Sequence, residues 1–186
     1  MDQAWFLFLN GLPASVPALG AIAVALSKYG LACYAAMLIW LWWRGTPFDV
    51  PRRTLLLSVL AGTLSLVANF GLNLAVPRPR PFLVLPAHVL VGAPHDPSFP
   101  SDHAAFTSAI AGTLLLARTA GWGAVGLLGA FAIGISRVIV GVHYPSDIAG
   151  GVIVGTICAA LALALERPLD PVLRRLLGIA RQWHLA

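Results

Sequence analysis

Three observations predict an all-α integral membrane protein, a bundle of five transmembrane helices, or at most six, with an N-terminal interfacial helix. The first is composition: of 186 residues 59% are hydrophobic and only 10% charged, at a mean hydropathy of +0.84. A soluble domain burying one core does not reach such values. The second is length: apolar runs at 22–43, 54–76, 102–117, 122–141 and 148–165 approach the roughly 20 residues needed to cross about 30 Å of hydrocarbon. The third is charge, which sorts by membrane side.

The elements follow in order. Residues 1–13 hold Trp5, Phe6, Leu7, Phe8 and Leu9 before Gly11 and Pro13, an apolar run too short to span and suited to the interface. The first twenty residues contain Asp2 and no Lys or Arg, so the basic stretch of a cleaved signal peptide is missing and the segment is expected to be retained. Trp40, Trp42 and Trp43 beside Arg44 form an aromatic belt at the end of the first span. Residues 77–100 are a Pro-rich loop, and a loop of this length is more often functional than idle. The tail, 166–186, interleaves Leu and Ile with Arg at helical spacing, as an amphipathic anchoring helix does. Cys33 and Cys158 fall inside predicted spans and read as small hydrophobes. Neither a repeat nor a linker divides the chain, so a single domain spans 1–186, with its motif-bearing core at about 54–165.

Eight of the twelve basic residues, Arg44, Arg52, Arg53, Arg118, Arg167, Arg174, Arg175 and Arg181, lie on connections that alternate to one side. By the positive-inside rule that side is cytoplasmic, which turns the loop 77–100 and the turn around His143 outward. The net charge of +5 is not gathered on one polar face, so no nucleic-acid partner is expected. Lys28, Arg78, Arg80 and Arg137 remain, and the outer side also collects His88, His95, Asp96, Ser101, Asp102, His103, His143 and Asp147. Ionisable groups at membrane depth are costly and mark function.

They form three clusters. In SRVIVGVHYPSD, Ser136 to Asp147, Asp147 opens the last span and can orient the His143 imidazole, whose other nitrogen can attack phosphorus. Arg137 can present its planar fork to phosphate oxygens. In PSFPSDHA, Pro97 to Ala104, Ser101 is an N-cap whose following amides can cradle an anion, and His103 can protonate a leaving oxygen. In PRPRP, Pro77 to Pro81, alternating prolines stiffen the chain and hold Arg78 and Arg80 near the end of the second span.

In this order the three clusters resemble the type 2 phosphatidic acid phosphatase superfamily over about residues 54–165. The third motif, Ser-Arg, five residues, His, three residues, Asp, is matched in full by Ser136, Arg137, His143 and Asp147. The second, usually Pro-Ser-Gly-His, is Pro100, Ser101, Asp102 and His103; in the first, Arg80-Pro81 stands but Asn73 holds the lysine position. The resemblance implies a metal-independent, cofactor-free phosphatase with His143 as nucleophile, Asp147 as its partner and His103 as acid. Arg80, Arg137, Ser101 and the amide of Asp102 would hold the phosphoryl group, and a phosphohistidine would be hydrolysed by water. Asp102 adds an anion and Asn73 removes a cation, which points away from phosphatidate. The form SFPSDHA followed by RVIVGVHYPSD is most similar to bacterial undecaprenyl-diphosphatases of the bacitracin-resistance type, implying an isoprenyl diphosphate substrate at the outer face of the bacterial inner membrane.

Several readings stay open. Lys28, about a turn below the outer surface, either supplies the charge Asn73 lacks or snorkels to the interface. Arg78 binds a second phosphate or meets lipid headgroups. His88, His95 and Asp96 lack the compact spacing and further ligands of a zinc site. Phosphatidylglycerophosphate, phosphatidate or lipid A phosphatases, or a lipid phosphotransferase, would use the same His143. A transporter or anionic-lipid-binding protein would not need His143 paired with Asp147, and neither inverted repeats nor midplane helix breaks are evident.

Overall fold

The computed structural model describes residues 1–44 and 50–183, and all its regular elements there are helices. They are α1 (Asp2–Ser15), α2 (Pro17–Arg44), α3 (Arg52–Ala75), α4 (Pro81–Val84), α5 (Asp102–Leu116), α6 (Ala120–Ile139), α7 (Pro145–Ala164) and α8 (Asp170–Gln182). α2, α3, α6 and α7 are each long and apolar enough to cross a membrane. The five predicted runs coincide with α2, α3, α5, α6 and α7. Prolines explain the earlier starts of two of them. Pro17 opens α2 and Pro145 opens α7, a residue whose fixed φ suits the first helical position and whose missing N–H is no loss there.

The run 102–117 differs from expectation. α5 has 15 residues, about 22 Å at 1.5 Å per residue, and is short of a full span. It is enclosed by α3, α6 and α7, so its neighbours rather than the lipid define its surroundings. Ala104, Ala105, Thr107, Ala109, Ile110, Ala111, Thr113 and Leu114 are buried all around it. Its two threonine hydroxyls are satisfied within the helix, Thr107 Oγ1 donating to the His103 carbonyl (2.7 Å) and Thr113 Oγ1 to that of Ala109 (2.8 Å), as buried polar groups must be.

α7 lies against α5 at backbone distance through Gly151 and Gly155, four residues apart as in close-packed membrane helices. A Cβ on Gly155 would stand 2.4 Å from the Ala105 carbonyl oxygen, and one on Gly151 2.6 Å from that of Ser101. This contact sets the N-terminus of α7 beside that of α5, and the backbone N–H of Ser101 donates to the Asp147 carbonyl (3.1 Å).

α1 crosses the same end of the bundle. Phe6 is fully buried, its ring 5.6 Å from that of Tyr144. Asn10, also buried, donates to the carbonyls of His88 (2.8 Å) and Ile139 (2.9 Å) and accepts from the His88 amide (2.8 Å). Trp5 and Phe8 are exposed on the other side, which gives α1 the apolar outer face of an interfacial helix. At the opposite end Arg53 binds Glu166 (2.7 Å) and Asp170 (2.6 Å), tying α3 to α8, where Leu173 is buried. The predicted amphipathic tail is α8; its last residues, 184–186, lie outside the described ones.

Replacing Gly155 with Ala is expected to cost about 1–3 kcal/mol, the range for overpacking a tight contact. Gly71→Ala, where a Cβ meets nothing within 4 Å, is expected to stay within about 0.5 kcal/mol of the parent. Thermal unfolding of the two variants in detergent checks the contrast.

Candidate active site

Three chain segments converge between the N-termini of α5 and α7. α6 ends in a Schellman turn: Gly141, at φ +89°, donates to the Val138 carbonyl (3.0 Å), and Val142 to that of Arg137 (3.2 Å). A left-handed residue is needed there, and glycine supplies it without strain. The turn carries the chain from Arg137 to His143 within six residues, and Pro145 then starts α7. Asp147, in the first turn of α7, reaches back to accept from the Tyr144 amide (2.8 Å), which fixes the His143 backbone.

The His143 ring is buried. Its Nδ1 is 2.8 Å from the Ser98 carbonyl oxygen and 3.6 Å from Asp147 Oδ2. The expectation that Asp147 bonds this nitrogen directly is therefore corrected. At 3.6 Å the carboxylate acts on the ring as a charge, and the hydrogen bond goes to the backbone of Ser98. A carbonyl accepts only, so the proton is held on Nδ1 and the Nε2 lone pair is left for chemistry. Asp147 also accepts a short hydrogen bond from the Ser98 hydroxyl, so Ser98 serves both residues. Burial pushes the His143 pKa below the ordinary imidazole value, with the charges of Arg80 and Arg137 acting the same way against Asp147. The resting imidazole is neutral.

Arg80 is buried and fixed by carbonyls. Its Nε donates to the Asp96 carbonyl (2.9 Å) and its Nη1 to that of Val142 (2.9 Å). Its Nη2 meets the Asp96 carboxylate (3.0 Å), and Nη1 stands 3.3 Å from His143 Nε2. Arg137 is buried as well; its Nη1 donates to Ser27 Oγ on α2 (2.6 Å) and its Nε has no partner. Both guanidinium groups line a cavity of about 660 Å³ together with Asp96, Asp102, His103 and His143. A buried, unpartnered cationic N–H beside such a cavity is costly without an anion to receive it. His103, from the first turn of α5, faces Arg137, His143 and the Ser27 backbone.

The remaining sequence candidates are placed differently. Ser101 caps α5, its Oγ accepting from the Ala104 amide (3.5 Å), and its side chain lies behind the cavity wall. Asp102 does line the cavity, but Asn69 holds its carboxylate (2.8 Å). The neighbouring polar group on α3 is thus Asn69, one turn from Asn73, which does not line the cavity. Lys28 is exposed and also outside the lining. The adjacent Ser27 faces inward instead, because one residue turns a helix by a hundred degrees or so. Arg78 is likewise outside the lining; it binds Asp2 (2.7 Å), Ser146 (2.6 Å) and Asp147 (2.6 Å). His88 lends its backbone to Asn10, and Asp96 turns to Arg80.

Sequence reading thus missed Ser98, Asn69, Ser27 and Asp2. Ser98 was within the PSFPSDHA cluster, but its role depends on the loop fold. The others lie on helices whose inward faces are not marked by periodicity, since both faces are apolar.

Comparison with known proteins adds an independent line. The model of the PAP2 superfamily matches residues 53–169. The undecaprenyl-diphosphatase BcrC of Bacillus subtilis is 33% identical over 174 residues, covering 92% of this chain and 87% of that protein. An undecaprenyl-diphosphatase of Sulfolobus acidocaldarius is 31% identical over 157 residues, 81% of this chain and 72% of its own length. Among solved structures, Aquifex aeolicus LpxE aligns with a TM-score of 0.69 at 28% identity, covering 88% of this chain and 94% of that one. With two arginines and two histidines around one cavity inside a helical membrane bundle, and with these matches over most of its length, the chain belongs to the PAP2 superfamily and is a multi-pass membrane phosphatase.

Proposed function

We propose that the chain hydrolyses undecaprenyl diphosphate to undecaprenyl phosphate and inorganic phosphate, at the outer face of a bacterial inner membrane. The observation that carries this reading is the composition of the cavity wall. Its lining combines Arg80, Arg137, His103 and His143, beside Asp96 and Asp102, with Leu31, Ala32 and Ala35 of α2, Leu66 of α3 and Phe106 of α5. A phosphate and an apolar chain fit it together. α2 rests chiefly on α6, whereas α3 rests on α5 and α7, which leaves a seam between α2 and α3. Along it a second cavity, of about 320 Å³, is lined by Leu38, Ile39, Trp42 and Trp43 of α2 and Leu55, Leu56 and Val59 of α3. The seam suits a long isoprenyl tail better than a short one. The similarity to BcrC favours the same substrate, and the eight arginines at the far end favour the outward site.

The chemistry follows from the positions. His143 Nε2 attacks the terminal phosphorus, the N–P bond forms, and the bond to the bridging oxygen breaks with its electrons leaving on undecaprenyl phosphate. Arg80 and Arg137 face the oxygens on which charge grows, and fixed donors of this kind stabilise the transition state without rearranging. His103 donates a proton to the departing oxygen and takes one from the water that then cleaves the phosphohistidine.

His143→Ala is expected to lower kcat by about 10³-fold or more, as loss of a nucleophile does. Arg137→Ala should lower it by about 10²- to 10³-fold, the effect of removing one fixed donor. Phosphate release from undecaprenyl diphosphate, farnesyl diphosphate, phosphatidate and phosphatidylglycerophosphate in detergent, with and without EDTA, checks both variants, the substrate and the indifference to chelation. Undiminished release by His143→Ala would refute the nucleophile, and preference for a phospholipid would refute the substrate.

The lowered His143 pKa gives a pH dependence. The nucleophile must be neutral, and a pKa below its ordinary value keeps it neutral further into acid. The acidic limb of kcat/KM is therefore expected below about pH 6.5, the unperturbed imidazole value. A raised pKa would put that limb above it, and a pH–rate profile distinguishes the two.

A further inference from the structure

Asp147 is fully buried beside the nucleophile, and a buried carboxylate needs a countercharge. His143 is neutral at rest and does not provide one. The cation is Arg78: its Nη1 donates to Asp147 Oδ1 (2.6 Å) and to Ser146 Oγ (2.6 Å). Its Nη2 donates to Asp2 Oδ2 (2.7 Å), and its guanidinium carbon lies 4.0 Å over the Tyr144 ring. Asp2, the first residue of α1, also accepts from the Ser146 backbone amide (3.0 Å) and hydroxyl (2.6 Å). Both terminal nitrogens of Arg78 are thus occupied by carboxylates, and the side chain does not line the cavity.

We propose that Asp2 and Arg78 are positioning residues for the phosphatase reaction: Asp2 holds Arg78 on Asp147, and Arg78 holds Asp147 turned to Ser98 and His143. Arg78 is accordingly not a ligand of either phosphate. The chain of contacts runs Asp2, Arg78, Asp147, Ser98, His143, and its last step is the Nδ1 hydrogen bond to the Ser98 carbonyl (2.8 Å). It links α1, a helix that contributes nothing to the cavity wall, to the reactive nitrogen. The proposal rests on His143 being the nucleophile.

The charge pattern gives the sign. Around the Asp147 and His143 pair stand Arg80 and Asp96 from the loop 77–100, Arg137 from α6, His103 and Asp102 from α5, Tyr144 from the turn, and Asp2 and Arg78. Without Arg78 a cation close to the His143 ring is lost, and a proton on that ring is less disfavoured. The acidic limb of kcat/KM then moves to higher pH.

The test uses the full chain in detergent with undecaprenyl diphosphate as substrate. Arg78→Met is expected to lower kcat about 10-fold or more at neutral pH, a coupling of ordinary size between residues in contact. KM should be unchanged and the acidic limb shifted upward, with partial recovery in Arg78→Lys. Asp2→Asn should lower kcat by a smaller factor alone and add little in the Arg78→Met background, since it acts through Arg78. A rise in KM with kcat and pH profile intact would overturn the proposal by making Arg78 a substrate ligand. So would multiplicative effects of the two substitutions. Arg78→Lys, retaining the cation, guards against loss of folding in Arg78→Met, and thermal unfolding is read alongside. His143→Ala run in parallel separates the two readings: release that survives in it refutes the nucleophile and with it this proposal, whereas loss in His143→Ala beside an altered KM in Arg78→Met refutes this proposal alone.

Discussion

The rest of the structure depends on the backbone contact between α5 and α7. Residues that share the site come from helix N-termini more than forty positions apart, and only glycine at 151 and 155 lets those helices close to the distance at which Ser101 N–H reaches the Asp147 carbonyl. Helices in lipid gain no hydrophobic advantage from pairing, since hydrocarbon is as apolar as leucine. Close packing and short interhelical hydrogen bonds must supply the association. The alanines of α5 serve the same end from the other side. Once the two helix starts are fixed, the first turn of α5 and His143, just ahead of α7, border one cavity, and the positive end of the α5 dipole favours an anion there.

Side chains then place charge in that volume in an ordered way. Arg80 is held by three backbone carbonyls, and a guanidinium so held loses little freedom when it meets phosphate. Arg137 is held less, by the Ser27 hydroxyl, and its Nε keeps an unused N–H. The difference matters for chemistry: a fixed donor beside Nε2 can steady the attacking geometry, while a looser one can follow the phosphoryl oxygens as they move toward inversion. Asp147 does not line the cavity, so in the proposed reaction its charge would favour the imidazole as it turns cationic without repelling the substrate.

Much of this was legible in the sequence. Apolar length and arginine placement marked the spans and their ends, and Pro17 and Pro145 show why two spans start early. His143, His103, Arg80 and Arg137 were each marked by being ionisable where membrane insertion asks for nothing ionisable. What stayed hidden has a common physical cause. In a bundle whose helices are apolar on every face, periodicity does not tell inward from outward, so Lys28 drew attention and Ser27, its neighbour, did not. Asn69 and Asn73 are one turn apart on α3, and only packing decides that Asn69 meets Asp102. Arg78 and Arg80 look equivalent in PRPRP, and two residues apart they would share one face of a regular extended strand; the irregular course of the loop instead turns Arg80 to His143 and Arg78 to Asp2. The Ser98 contacts required the loop 77–100 to fold back over α7, which no local pattern in the loop announces.

The departure at Asp102 can be understood from the same geometry. A carboxylate beside a phosphate site should weaken binding, but this one is anchored to Asn69 (2.8 Å), which fixes its direction and leaves its effect to the rim. Asp96 is the more consequential anion, because it pairs with Arg80 (3.0 Å) while its own side chain is more than half exposed. Asp96 can turn to solvent, whereas the buried Arg80 needs an anion in its place when it does. The resting cavity thus carries two arginines against two aspartates and is close to neutral in sum. In the proposed reaction a diphosphate, with more charge than either carboxylate, would compete with Asp96 for both guanidinium groups better than a weakly charged headgroup would. On the proposed reading, preference for a highly charged head and an apolar tail needs no further cation at position 28 or 73; it would follow from which of the acidic groups near the site are free to move.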